Sequence, residues 1–182
     1  MSYAISRRLT LLVVLSGTVA GTALLAGPTT PTAHAEAVCS TSYAPLPDPG
    51  CTPGALNPNV TQGTIHSTIC VSGWTSTIRP PSSYTTALKV QQIAEYGYSD
   101  TSTSDYEEDH FLPLELGGAP RDPNNLWPEP RYNDGSGYTA TNKDTVENRL
   151  KTAVCNGSVS LADAQDAMLT DWTTALSSLG LG

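Results

Sequence analysis

Four cysteines, Cys39, Cys51, Cys70 and Cys155, follow an N-terminal stretch that reads as an export signal, and no other feature constrains the fold as tightly. An exported chain meets an oxidising compartment, so an even cysteine count reads as disulfides rather than reactive thiols. Four cysteines allow three pairings. The favoured one joins Cys39 to Cys51, closing a short proline-rich loop, and Cys70 to Cys155, tying the front of the domain to its back. A zinc–thiolate site is the rival, but the chain has no C-x-x-C pair and its spacings fit no common finger. A stapled domain can be small and loop-rich, and the composition agrees: 15 Gly and 14 Pro, with only 14% of residues charged. With a single Phe in the chain, Tyr, Trp and Leu must do most of the packing.

The export signal is expected over residues 1–35. Arg7 and Arg8 form its positive end, an apolar run over residues 11–25 its middle, and Ala33-His34-Ala35 its cleavage site, so the mature chain is expected to start at Glu36. Ser16, Gly17 and Gly21 interrupt the run, which argues against a membrane anchor. No second stretch is long and apolar enough to span a bilayer. The expected location is therefore secreted, with no membrane association once the signal is cleaved. Lys and Arg number 9 against 17 Asp and Glu, a formal charge of −8. That balance excludes a basic nucleic-acid coat or a polybasic membrane binder. Any phosphate-binding site must be a local basic feature or a metal.

Along the mature chain, residues 36–60 carry five prolines and read as an irregular lead-in, and residues 61–182 as the domain. Residues 61–71 mix β-branched and polar side chains and read as a short strand. Arg79-Pro80-Pro81 is a break, followed by a helix over about residues 84–96 that Gly97 ends. A second helix is expected over residues 140–155, with Val146, Leu150, Ala153 and Val154 as its apolar stripe. A third starts at Ser160, where Asp163 sits at the capping-box position, and continues through Leu161, Ala164, Met168, Trp172, Ala175 and Leu179. Trp127 and Trp172 read as core, and His66 as a surface residue.

The block from residue 106 to residue 130 carries the chemistry. Adjacent side chains in a strand diverge, so Asp109 and His110 can share a site only if the chain bends there. The series Asp109-His110-Phe111-Leu112-Pro113-Leu114, then Gly117-Gly118, then Asn124-Asn125-Leu126, then a helix bearing Asn142-Lys143-Asp144 and Glu147, resembles the HNH, or His-Me finger, endonuclease superfamily. More closely, the block resembles secreted bacterial proteins with an HNH-like core.

That resemblance implies an α+β fold: a small disulfide-stapled domain with a ββα-metal core and flanking helices. It implies His110 as the general base on water and Asn125 as the residue that orients it. Asp109 would be a metal ligand, with Glu147, or second to it Asn142, as the ligand from the helix. The implied cofactor is a divalent metal, Mg²⁺ or Mn²⁺, and the implied activity is phosphodiester hydrolysis of DNA or RNA. Lys143, Arg121 and Arg149 are the expected substrate contacts. The alternative is a non-catalytic extracellular interaction module on the same fold. No G-x-S-x-G nucleophile motif occurs, and the sequence leaves any protein partner unidentified.

Overall fold

The computed structural model describes residues 38–182. The expected signal peptide and its cleavage site lie outside the described residues. The fold is mixed α and β, with one two-stranded sheet and two disulfides. Cys39 is bonded to Cys51, and Cys70 to Cys155. Among the described residues no helix is long and apolar enough to cross a membrane.

A short helix α1, Trp74–Ile78, precedes the Pro80-Pro81 break. Helix α2, Ser82–Glu95, follows directly, with Pro81 at its N-cap. Proline fits there because the first turn leaves its N–H groups unpaired in any case. Strands β1, Tyr106–His110, and β2, Leu126–Pro130, pair antiparallel with His110 opposite Leu126 and Asp109 opposite Trp127. Helix α2 crosses this hairpin, and Gln92 Nε2 donates to the Leu126 carbonyl at 2.7 Å.

Helix α3, Ala140–Cys155, begins at a reciprocal cap between Thr139 and Asn142. Helices α4, Leu161–Asp171, and α5, Ala175–Ser178, complete the chain. The core lies between the hairpin loop, α3 and α4. It is filled by Leu112, Leu116, Trp127, Leu150, Val154, Met168 and Trp172, all buried. The Cys70–Cys155 bond ties the last residue of α3 to the turn that closes one side of this core.

Three expectations change. Residues 61–71 form turns and a 3-10 helix, Ile65–Ser67, instead of a strand. Thr64 explains the difference: its hydroxyl donates to the Asn59 carbonyl, and its own carbonyl accepts from Ser67 Oγ and Thr68 Oγ1. Such local bonds offer the backbone an alternative to a ladder. The expected last helix divides after Asp171, whose carboxylate accepts from the Thr173 N–H at 2.9 Å and its hydroxyl at 2.6 Å, the same competition at a helix end.

The proline-rich segment is also no separate lead-in. Gly54 N–H donates to the Asn124 carbonyl, Ala119 N–H donates to the Ala55 carbonyl, and Leu56 bridges Gly118. Those contacts press backbone against backbone at Gly118. A Cβ there would stand 1.8 Å from the Leu112 carbonyl oxygen and 2.8 Å from Asn125 Nδ2. Overpacking of this kind typically costs about 1–3 kcal/mol. Gly118→Ala is therefore expected to lower the urea midpoint clearly, whereas Gly157→Ala, whose Cβ would meet nothing within 4 Å, should cost only its backbone strain at φ +80°.

Candidate active site

The site forms where β1 ends. After His110 the chain leaves the strand, and the buried amide of Asn125 fixes the loop that follows. Asn125 Oδ1 accepts from the N–H groups of Leu112 at 2.9 Å and Ala55 at 3.3 Å. Its Nδ2 donates to the carbonyls of Leu112 at 3.0 Å and Ala119 at 3.1 Å. One side chain, 0% exposed, thus satisfies four backbone groups that would otherwise be buried unpaired. The loop it holds ends at Pro120, whose carbonyl lies 3.1 Å from His110 Nε2.

That contact sets the tautomer of His110. A carbonyl oxygen only accepts, so Nε2 carries the proton. Burial lowers the pKa of the ring, and the pull of Asp109 in the other direction does not overcome it. The imidazole is therefore neutral at pH 7, with its lone pair on Nδ1. Among the described residues no group bonds Nδ1, so this nitrogen is left to take a proton from a molecule in the cleft.

Asp109 and His110 line the same cleft, about 180 Å³ in volume. The far wall is α3, which contributes Asp144, Glu147 and Asn148, and Glu107 and Glu115 add two more carboxyls. Beneath the cleft lies Lys143, 0% exposed. Its ammonium donates to Asp109 Oδ2 at 2.5 Å, to the His110 carbonyl at 2.9 Å, and to Glu147 one helical turn away. All three ammonium protons are accounted for.

The electrostatics follow from burial. Burial alone would lower the Lys143 pKa, but the Asp109, Glu147 and Glu129 carboxyls outweigh it and hold the ammonium well above its usual range. Burial, helped by Asp109, pushes Glu147 up to about 8 against the pull of Lys143. Glu129, 3% exposed on β2, is raised well above the usual carboxyl range by burial, by the Asp109 charge and by a hydrogen bond with Asp109. Burial raises Glu107, Glu115 and Asp144 as well.

The remaining expected site residues lie elsewhere. Asn142 Oδ1 accepts from the Thr139 N–H at 2.9 Å and the Thr139 hydroxyl at 3.0 Å, so it caps α3 and does not line the cleft. Lys143, expected to touch substrate, is fully buried and has no free face. Arg121 lies 5.9 Å over the Tyr84 ring, outside the cleft. Arg149 donates to the Leu181 carbonyl and lines a different cavity.

Sequence reasoning missed Arg79, which lines the cleft and makes no ion pair among the described residues. Its charge pushes His110 further toward the neutral form. The Pro80-Pro81 break drew attention away from it. Glu129 was also missed, although its two-residue spacing from Trp127 places it on the inward face of β2.

The residues present do not fit the divalent metal that the resemblance implies. The Lys143 ammonium occupies the space between Asp109 and Glu147, and Asn142 is engaged at the helix cap. Among the described residues, no three His, Cys, Asp or Glu side chains are placed to hold one ion.

Also on β1, Glu108 is half-buried, with both carboxyl oxygens shielded from solvent and lacking a hydrogen-bond partner. Burial raises it from 4.5 to about 8, against the pull of Lys89. A carboxyl raised in the folded state binds protons there that the unfolded chain has released, so stability falls as pH rises from 4.5 to about 8. Glu108→Gln removes that pH dependence. Urea melts of the variant should show a shallower decline over this range and a higher midpoint than wild type at pH 8. Parallel profiles for the two proteins would show that Glu108 is charged in the fold.

Comparison of the chain with protein-family models, with curated proteins and with solved structures returns no match.

Proposed function

We propose that the protein is an exported phosphodiester hydrolase acting on nucleic acid, built on a ββα module of the His-Me finger type made of β1, β2 and α3. The observation that carries this reading is His110: a neutral histidine, oriented by a backbone carbonyl that Asn125 holds in place, with Nδ1 free at a polar cleft. A base of this kind removes a proton from water near neutral pH. The order strand, Asn-pinned loop, strand, helix supports the module. The two disulfides support export.

In this reading His110 Nδ1 takes a proton from a water in the cleft as the water oxygen bonds to phosphorus. The opposite P–O bond breaks, and the leaving oxygen takes a proton from solvent. Asp109 stabilises the imidazolium that forms. The charge growing on the phosphoryl oxygens meets Arg79, the free cation of the cleft. No step is assigned to a divalent metal.

A specific observation favours the second reading, a non-catalytic module on the same scaffold: five carboxyls line the cleft beside a single arginine, a poor reception for a polyanion. One experiment separates the two readings. Purified oxidised protein is incubated with labelled single- and double-stranded DNA and RNA, in Mg²⁺, in Mn²⁺ and in chelator. Cleavage by wild type and by His66→Ala but not by His110→Ala supports hydrolysis. His66 is exposed on the 3-10 turn, which makes it the control. Equal signals from wild type and His110→Ala in every condition favour the module.

A further inference from the structure

We infer that the ammonium of Lys143 is the resident cation of this cleft, seated between Asp109 and Glu147 where a divalent metal would otherwise bind. The inference rests on the reading of the cleft as a hydrolytic site of the His-Me finger type, and it departs from that family's use of a metal.

Geometry carries it. Lys143 and Glu147 are one turn apart on α3, so both reach the same side of the helix. Asp109 and the His110 carbonyl approach from the end of β1. The ammonium meets all three as a single point charge with three donors, and it is shut off from solvent. A divalent ion would need the same carboxylate oxygens at about 2.0–2.6 Å. It could take them only by displacing the buried ammonium.

The position also gives Lys143 a task that a loosely held ion would perform less well. The His110 carbonyl accepts directly from Lys143, so the cation fixes the backbone from which the imidazole projects, while Pro120 fixes the ring. The His110 ring is thus held from two sides, by α3 through its backbone and by the Asn125-pinned loop through Nε2. Lys143 is shut off from solvent and reaches no substrate.

The test is a titration with Mn²⁺ alone, read by electron paramagnetic resonance and calorimetry on the oxidised protein. Wild type is expected to show no site that depends on Asp109. A stoichiometric Mn²⁺ site in wild type that Asp109→Asn abolishes would overturn the inference. Lys143→Ala frees Asp109 and Glu147, and it is expected to gain one Mn²⁺ site at least an order of magnitude tighter than anything in wild type, lost again in the Lys143→Ala/Asp109→Asn double variant. A folded Lys143→Ala protein with no such gain would overturn the claim that ammonium and metal compete for one seat. If that variant does not fold, the wild-type titration decides. The titration reads binding and not turnover, so a wild-type metal site leaves the case for His110 intact. A protein that binds no Mn²⁺ and cleaves no nucleic acid ends the hydrolase reading without touching the role of Lys143.

Discussion

If the protein is the hydrolase proposed above, His110→Ala is expected to reduce phosphodiester cleavage by about 10²–10⁴-fold, the usual cost of losing a general base. The fold should survive, because the imidazole makes one side-chain hydrogen bond, to the Pro120 carbonyl, and its removal leaves that carbonyl at the wall of a polar cleft that water can enter. The pH dependence of the wild type carries further information. Burial, reinforced by Arg79 and Lys143, holds the His110 pKa below 6.5, and Asp109 only partly offsets this. The free-base form therefore persists into mildly acidic solution, and the acidic limb of kcat/KM should fall below pH 6.5. Arg79→Ala should move that limb upward, because a positive charge that disfavours the imidazolium is gone, and it should also lower the rate by removing the cation that faces the phosphoryl group. A rate lowered by Arg79→Ala with no shift of the limb would assign Arg79 to substrate binding alone. A limb well above pH 6.5 in wild type would mean that Asp109 dominates the ring and that the tautomer assignment needs revision.

Much of the fold was legible in the sequence, and the exceptions have physical reasons. Helices α2 and α3 were visible because their apolar residues recur at helical spacing and each ends at a glycine, Gly97 or Gly157 just past the helix. The cysteine pairing followed from one short loop and one long one. Strand β2 could not be read from alternation. All five of its residues are buried, and two of them, Pro128 and Pro130, argue against a strand. The structure tolerates them because they share one parity: Trp127, Glu129 and Arg131 face β1, and Arg131 N–H donates to the Asp105 carbonyl at 2.9 Å. The N–H groups that proline lacks fall on the edge with no partner strand. Lys143 was illegible for a different reason. A Lys four residues before a Glu reads as an exposed helix pair. Only Asp109, 34 positions earlier in the chain, turns it into a buried cation, and nothing local to α3 announces that. The same holds for Arg79, which reaches the cleft only through the packing of α1.

Lys143→Met is expected to destabilise the protein by about 3–5 kcal/mol near pH 8, the range found when one partner of a buried ion pair is removed. Methionine fills most of the volume, so the loss reads charge and not a cavity. What remains is Asp109, Glu147 and Glu129 packed together with no counter-charge. Glu147 already sits at about 8 with Lys143 present, raised first by burial. Without the ammonium Glu147 and Glu129 lose the charge that pulls them down and are pushed further up, so the folded variant binds protons that its unfolded chain releases. Stability of the variant should therefore fall as pH rises across the neutral range. Lys143 itself adds no slope there, because it is protonated in both states of the wild type: its pKa is raised in the fold, and that contribution is lost only in strong alkali. The gap between the two proteins should thus be widest at pH 8 and narrow toward about pH 5, where Glu147, raised to about 8 by burial, is already protonated in the fold. A second substitution separates the causes. Lys143→Met/Glu147→Leu removes one of the stranded carboxyls and should recover part of the loss, since an apolar pair of similar volume often replaces a buried ion pair at little cost. Urea unfolding of the three proteins at several pH values gives the whole comparison. A gap of less than about 1 kcal/mol, or one that stays constant with pH, would place the Lys143 ammonium in solvent and not at the centre of the carboxyl cluster.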